Sequence, residues 1–446
     1  MVQIKDIVKN NLCTGCGVCV SEQPDRLKMV MNEEGFWVAK QIGGGTEGAV
    51  RVCPFNPKPE VEVLDEDALA NYFLPKDNKL DKRVGSYINS YAGYSVKHRE
   101  TSSSGGLGTY FFEYLLRNKI VEKIFVVAER NGGYEYQWFD DVDSITRTSK
   151  TRYCPVTLEK LFLEIDNIDG KIAVSGVPSF IKAIRLKQYY HPKYKEKIAF
   201  LAGIICGGLK SKFYTDYLAQ KAGINGEYSH QEYRIKDTNS HALDYSFGAK
   251  ELATGEFKTV KMSKVGNTWG SSFFNAPAYD FSDDLVAELA DVSLGDAWIK
   301  PYQDDGKGNN VIVTRSKIAD QIVQEGLACG ELIMDSISIE LFKSSQAGGF
   351  KHKQLGMKQR LKLQKPKMDF LPYKRSRLLE KTPLEYTLVQ HQRLITRDTS
   401  TNEWLKHKEV NAFDAALDMS IKKLNRLTRV YHIIQRIKNK LGLKTV

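Results

Sequence analysis

No apolar run among the 446 residues is long enough to cross a bilayer, and no signal-peptide pattern opens the chain. The expected location is therefore the cytoplasm. Cysteine is scarce: seven residues are too few for a disulfide framework and fit a reducing compartment. The absence of internal repeats and low-complexity stretches excludes solenoids and arrays. Hydrophobic residues make up 42% and aromatics 11%, so the chain is globular, and its length predicts two or three domains. The net charge of +11 is unevenly placed. Residues 351–446 hold 23 Lys and Arg against 8 Asp and Glu, while the rest of the chain holds 42 against 46. The basic character belongs to a C-terminal extension, and no aromatic platform interleaves its charges, which argues against a nucleic-acid partner.

Four of the seven cysteines form a pattern. Cys13, Cys16 and Cys19 lie in Cys-Thr-Gly-Cys-Gly-Val-Cys, and Cys53 is followed by Pro54. A C-x2-C-x2-C run with a distant C-P supplies the four thiolates of an iron–sulfur cube, three from one tight loop and the fourth from another segment. Gly15 and Gly17 let the loop turn and bring its N–H groups toward the sulfurs. A zinc site or a chance grouping is the alternative, but zinc sites usually show two separated C-x2-C pairs. Gly43 to Val52 contains no cysteine, so the expectation is one 4Fe–4S cluster on Cys13, Cys16, Cys19 and Cys53 and no second one. Such a chain moves single electrons. Cys154, Cys206 and Cys329 read as ordinary thiols.

Residues 1–65 form the cysteine-bearing unit, and Val61 to Asp81 reads as a polar connector. From about residue 83 to 222, apolar strands alternate with amphipathic helices. Strands are expected over Ser86–Tyr94, Val121–Ala128, Lys171–Ser175 and Lys197–Cys206, and helices over Phe111–Arg117, Ser179–Tyr189 and Phe213–Ala222. This βαβα order predicts an α/β domain. Residues 223–345 begin strand-rich, and 346–446 form the basic helical extension. Three small-residue loops fall where such a sheet places ligands. They are Ser102 to Gly106 before a helix, Gly176-Val-Pro178-Ser179 after one strand, and Cys206-Gly-Gly208 after the next. The first is not the dinucleotide fingerprint, so a standard Rossmann reading fails. Together they suggest a phosphate-bearing cofactor, though each can also be a tight turn without a ligand.

In this order the pieces resemble the coenzyme F420 hydrogenase/dehydrogenase beta-subunit family over about residues 1–315. The resemblance rests on the cysteine quartet and Ser103-Ser-Gly-Gly106, on Ser149-Lys150 with Tyr153, and on Gly176-Val-Pro178 with Arg185. It continues through Cys206-Gly-Gly208 with Lys210-Ser211, Tyr233-Arg-Ile-Lys-Asp237, and Leu289 to Trp298. It implies a ferredoxin-like 4Fe–4S domain fused to an α/β flavin-binding domain with a strand-rich second half. Electrons would pass between the cluster, FAD and an organic acceptor, which is F420 in some relatives. Ser103, Ser104, Gly105 and Gly106 would lie near FAD, with Lys150, Gly176, Pro178 and Cys206 around it.

The chain departs from the family pattern at Ser179, Asn275 and Ala278, where relatives often carry cysteine. Lys150 and Arg185 are candidates to steady negative charge. His98 or Tyr153 could supply a proton, and Asp296 reads as a turn carboxylate. Expected partners are ferredoxin or another electron donor and a small organic substrate. The leading expectation is an FAD- and iron–sulfur-dependent oxidoreductase, of a type found with cell-surface polysaccharide genes. The alternative is a catalytically degenerate scaffold or electron-relay subunit of a polysaccharide-assembly complex. In the extension, Leu417, Ile421, Leu424, Leu427, Tyr431, Ile434, Ile437 and Leu441 recur three or four apart with Lys and Arg on the other faces. The spacing predicts a basic amphipathic helix. Through 414–446 it would dock on its own body, a partner or the inner membrane surface.

Overall fold

The computed structural model describes residues 1–442, and the last four residues of the expected contact stretch 414–446 lie outside the described residues. The cysteine unit opens with α1 (Ile4–Lys9) and a short 3-10 turn, Val18–Glu22. A hairpin of β1 (Leu27–Met31) and β2 (Trp37–Gln41) follows, paired antiparallel with Leu27 opposite Gln41. A second 3-10 segment, Glu47–Val52, ends at Cys53.

The main sheet then begins with β3 (Asn89–Ser95), followed by α2 (Leu107–Arg117), β4 (Lys123–Arg130) and β5 (Gly133–Phe139). Next come β6 (Ile172–Gly176), α3 (Pro178–Tyr190), β7 (Ile198–Ile204) and α4 (Lys212–Lys221). Three strands, β8 (Tyr228–Ile235), β9 (Ser246–Glu251) and β10 (Phe257–Lys261), pair among themselves as a separate antiparallel sheet. The chain returns to the main sheet with β11 (Val292–Asp296), β12 (Asn310–Thr314), α5 (Lys317–Ala328) and β13 (Leu332–Ser336). The extension ends in a helical hairpin, α6 (Leu384–His407) and α7 (Val410–Lys440).

Among the described residues the largest sheet has eight strands, in the order β13-β3-β12-β11-β7-β6-β4-β5. β11, β7, β6 and β4 run parallel. β12 is antiparallel to both β11 and β3, so β3 points the same way as the parallel set. Antiparallel β13 and β5 close the two sides. The carboxyl ends of β3, β4, β6, β7 and β11 therefore share one edge, and all three small-residue loops emerge there.

The architecture is the expected mixed α/β body with a helical C-terminus, and most expected elements are found with ends shifted by a residue or two. Two differ. The strand expected over Ser86–Tyr94 is split: Gly85–Tyr87 pairs only with Lys79–Asp81, while β3 joins the main sheet. The helix expected from Phe111 starts at Leu107, because Gly106 turns the chain with φ of 80°. The stretches 83–222 and 223–345 share one sheet, since β11 and β12 insert between β3 and β7.

Phe111 and Leu115 of α2 and Ile322 of α5 cover Ile124, Phe200 and Ile312 on one face. On the other face, Phe180 and Ile184 of α3 pack between Val174 and Leu201 of the sheet and Val18, Val50 and Val52 of the cysteine unit. The small sheet, α4 and the C-terminal hairpin share a third core of Tyr217, Phe247, Phe274, Trp404, Phe413 and Leu417.

The extension is also pinned by buried charge. Arg375 donates to both oxygens of Glu288 at 2.7 and 2.9 Å, to Asp283 at 3.2 Å and to Asp67 at 3.2 Å. Against the upward push of burial, Arg375 and Lys374 hold the Asp283 carboxyl far below the usual range. Arg375→Ala would leave Glu288 and Asp283 buried without their main partner. It is expected to lower the unfolding free energy by about 3–5 kcal/mol in urea titrations. A change of only about 0.5 kcal/mol would show that the extension is not held by this group.

Candidate functional site

The cysteine loop is set by two glycines and a strand edge. Gly15 and Gly17 have φ of 75° and 77°. A Cβ on Gly15 would lie 2.7 Å from the Trp37 carbonyl oxygen, and one on Gly17 would lie 2.3 Å from Thr157 Oγ1. Both positions thus need glycine for conformation and for space. Leu158 N–H donates to the Cys16 carbonyl at 2.9 Å, locking the loop to the segment that leaves β5. Burial pushes all four thiols up, Cys16 to about 11, and neighbouring thiols raise Cys16, Cys19 and Cys53 further. The N–H groups of Gly15 and Ala39 lie toward the Cys13 sulfur, that of Val18 toward Cys16 and that of Phe55 toward Cys53. Among the described residues, no three His, Cys, Asp or Glu converge on a single-ion site. Cys16 and Cys19 are buried and Cys13 and Cys53 half-buried, and backbone N–H groups approach three of the sulfurs. Four thiols at this sequence spacing suit a sulfur-ligated cluster.

The second constellation lies at the carboxyl edge of the sheet. Ser103 Oγ accepts from Thr151 N–H at 3.0 Å, and Ser149 and Thr109 share a hydroxyl hydrogen bond of 3.0 Å. The Ser149–Lys150 turn is thereby brought to the start of α2. Lys150 Nζ reaches Glu232 at 3.0 Å. Ser104 Oγ donates to the Asn309 carbonyl at 2.7 Å. Gly106 offers the helix start no side-chain cap, Asn310 Oδ1 accepts from Leu107 N–H at 3.2 Å, and Ser102 Oγ is buried without a partner.

Across from this start, β8 contributes Arg234, and Lys236 follows just beyond the strand. The Arg234 guanidinium sits between the rings of Tyr245 (5.1 Å) and Trp298 (5.0 Å) and pairs with Asp296. Lys236 Nζ donates to the Ser104 carbonyl at 2.8 Å. Burial pushes Lys236 down to about 8, helped by Arg99, Lys150 and Arg234. Ser103, Arg234, Lys236, Asp237, Asp244 and Tyr245 line a small, partly open cleft. An unsatisfied hydroxyl and the cations Arg234 and Lys236 beside a helix start suit a phosphate.

Gly176, Pro178 and Cys206 lie on the same edge but in a neighbouring patch. Val177, Cys206 and Leu209 pack around Phe36 and Tyr279, and Cys206 Sγ donates to the Gly208 carbonyl at 3.4 Å. Aromatic rings join the patches. Tyr153 meets Tyr233 at 5.5 Å and Trp269 at 4.8 Å, and Lys210 Nζ lies 4.4 Å over Trp269.

Several expected roles shift. A Cβ on Gly105 would meet the Gly93 carbonyl at 2.6 Å, and one on Gly106 would meet His98 at 2.6 Å. Their small size therefore serves strand–loop packing. His98 is buried against Glu113. Arg185 is also internal, donating to the Leu289 carbonyl at 3.0 Å with Asp291 3.6 Å away. Asp296, expected as a turn carboxylate, is instead the counter-ion of Arg234. Arg234 and Lys236 were the residues without a sequence-derived role. Two cations at i and i+2 on one strand face were the available signal.

Residues 90–162 match the family profile for the N-terminal part of the coenzyme F420 hydrogenase/dehydrogenase beta subunit, and residues 169–340 match the profile for its C terminus. Together they take in more than half of the chain. The protein belongs to the coenzyme F420 hydrogenase/dehydrogenase beta-subunit family. Neither match reaches the cysteine run or residues 346–446.

A similar curated protein is the coenzyme F420-dependent sulfite reductase of Methanocaldococcus jannaschii, 24% identical over 313 residues. That alignment takes in 66% of this chain and 43% of the relative, so the chain spans less than half of that protein's length. A chain of the F420-reducing [NiFe] hydrogenase complex from Methanosarcina barkeri aligns with a TM-score of 0.48 and 19% identity. The alignment covers 67% of this chain and 99% of that one. Membership in the coenzyme F420 hydrogenase/dehydrogenase beta-subunit family points to redox chemistry.

In this family member the positions without the family's cysteines are filled by protein. Ser179 Oγ and Tyr279 OH share a 2.7 Å hydrogen bond, Asn275 bridges to Lys210, and Ala278 is fully buried beside Phe55 and Phe281. Among the described residues no helix is long and apolar enough to cross a membrane.

The charge of Lys236 gives the cleft a pH signature. Lys236 is protonated below about pH 8 and neutral above it. Calorimetric binding of pyrophosphate is therefore expected to weaken roughly tenfold between about pH 7 and pH 9. Lys236→Met should flatten that dependence; an affinity insensitive to pH in the native chain would remove Lys236 from the anion site.

Proposed function

We propose that the protein is an iron–sulfur flavoprotein oxidoreductase. Cys13, Cys16, Cys19 and Cys53 would hold a 4Fe–4S cluster, and the carboxyl edge of the sheet would bind FAD facing a small organic acceptor, with F420 as one candidate. A bound 4Fe–4S cluster carries one electron at a time, and a flavin converts one-electron into two-electron chemistry. The observation that carries the reading is the segment joining the two constellations. Lys150 and Thr151 lie at the helix start beside the cleft, Tyr153 stands among the aromatic rings, and Thr157 and Leu158 grip the cysteine loop. Eight residues of extended chain span at most about 28 Å, so thiols and cleft are held close and in fixed register.

The roles of the chain's own groups follow from their charge and placement. Arg234, Lys236 and the start of α2 would bind the phosphates, with Ser103 and Lys150 beside them. Tyr153 and Trp269 pack edge to face, with Lys210 over the Trp269 ring. Ferredoxin or a partner subunit would supply the electrons.

The filled positions at Ser179, Asn275 and Ala278 favour a second reading, in which the chain relays electrons or acts as a scaffold without a flavin. Anaerobic purification followed by iron, sulfide and flavin assays separates the two. The first reading predicts about four irons, four sulfides and one released flavin per chain, with iron lost in Cys53→Ser. Iron without flavin, even after incubation with FAD or F420, would leave the relay reading. A chain that holds neither, whether as isolated or after reconstitution, would overturn both.

A further inference from the structure

The C-terminal hairpin buries one face and leaves another uncovered. Inward, Val389 and Trp404 of α6 and Phe413, Leu417, Leu424 and Tyr431 of α7 enter cores or the seam between the helices. The helices are joined by Gln392 and Thr396 to Ser420, at 3.0 and 2.9 Å, and by Gln435 to Glu385 at 3.0 Å. The body is gripped from one side, through Arg397 to Asp280 and Asp414 to Tyr217. At 100° per residue, Leu388 and Ile395 project opposite Gln390 and Arg397, and Val430 and Ile437 lie on the matching side of α7. The outer face therefore carries aliphatic side chains from both helices. Leu384 is 78% exposed, Met419 82% and Leu441 66%, with Leu388, Ile395, Val430, Ile433 and Ile437 exposed between them.

Charge decides what this face fits. From Met419 to Leu441 the sequence has seven Lys and Arg and no Asp or Glu. Among the described residues, Lys423, Arg426, Arg429, Arg436 and Lys440 have no ion-pair partner. The carboxylates of the hairpin are already engaged: Glu385 with Lys438, Asp398 with Arg397, Glu403 with His407, Asp414 with Lys221 and Asp418 with Lys422, while Glu409 caps α7. A second copy of such a face would bring like charges together. An apolar stripe among long, unpaired cations is instead matched by acyl chains below anionic headgroups, with the Lys and Arg stems reaching up to the phosphates.

We propose that the outer face of the α6–α7 hairpin is a docking surface for an anionic phospholipid bilayer, on which the protein lies without crossing it. This surface is independent of the redox site.

The test is co-sedimentation of the full chain with vesicles of phosphatidylcholine alone and with about one-third phosphatidylglycerol, at low and high salt. Binding to the anionic vesicles that weakens with salt is expected. Ile433→Glu with Ile437→Glu, and separately Lys423→Glu with Arg426→Glu, should each cut it roughly tenfold. Because these side chains are exposed, circular dichroism and the melting temperature should stay unchanged. Equal binding to neutral and anionic vesicles would overturn the proposal, as would no binding, or binding that both variants retain. A concentration-dependent dimer in sedimentation velocity, abolished by the isoleucine variant in a chain that ignores vesicles, would assign the face to a second copy instead.

Discussion

A fully buried guanidinium must have its charge and donors met by carboxylates or carbonyls, because an unpaired charge away from water costs several kcal/mol. Arg375 meets this condition only where three distant segments converge. These are the connector with Glu66 and Asp67, the irregular stretch before β11 with Asp283 and Glu288, and its own place in the extension. None of them can fold alone without stranding a charge. Lys182 of α3 extends the network to Glu66 at 3.2 Å, and its charge is felt at Cys53. The ion cluster that Lys182 joins to the surroundings of the fourth cysteine is built largely from residues about 230 to 320 positions later in the chain. Buried pairs of this kind add little net stability, but they penalise every arrangement that separates them. The network is thus better read as fixing where the pieces sit than as a large source of free energy.

With that placement fixed, the redox reading becomes a question of continuity between two constellations. Tyr279 lies between the cysteine loop and the Cys206 patch. Its hydroxyl pairs with Ser179 at the start of α3, it packs with Cys206, and both Cys16 and Cys206 act on its phenol, which burial already pushes well up. Tyr136, bonded to the Ser175 carbonyl at 3.0 Å, stands beside Cys16 in the same way. Both are packed side chains with one polar tip satisfied, so the space between thiols and sheet edge is protein and not solvent. Such a dry, rigid separation suits electron transfer, and it also explains why Ser179 and Ala278 are tolerated: they fill volume in that wall.

The parts legible in the sequence were those set by local spacing. The cysteine run, the alternation of strands and helices, and the small-residue turns at strand ends all depend on neighbours a few residues apart. The cationic cleft was not legible as a site. Arg234 and Lys236 meet the start of α2 only because β11 and β12 insert beside β3 and carry the small sheet across the edge. The packing demand on Gly105 and Gly106 was not legible either. Their smallness is required by Gly93 and His98, contacts that a one-dimensional reading of a Ser/Gly loop attributes to a ligand.

The same distinction resolves the basic extension into two halves with different physics. Read as sequence, its surplus of cations looks like one solvated region. In the structure, five of the cations before α7 turn inward. Lys353, Arg360, Lys374, Arg375 and Arg397 are buried beside Asp280, Asp283, Asp284 and Glu288 or the carbonyls of that region. They answer the acidic excess of the rest of the chain, so that part of the surplus is internal compensation and carries no information about a partner. Among the described residues, Lys358, Lys362, Lys365 and Lys367 are exposed without an ion-pair partner, as are Lys423, Arg426, Arg429, Arg436 and Lys440 of α7, and the α7 set is the one interleaved with a run of exposed aliphatics. An internal pairing requirement explains the buried cations but not the unpaired ones of α7, so the uncovered face of α7 needs a reason outside the protein's own fold.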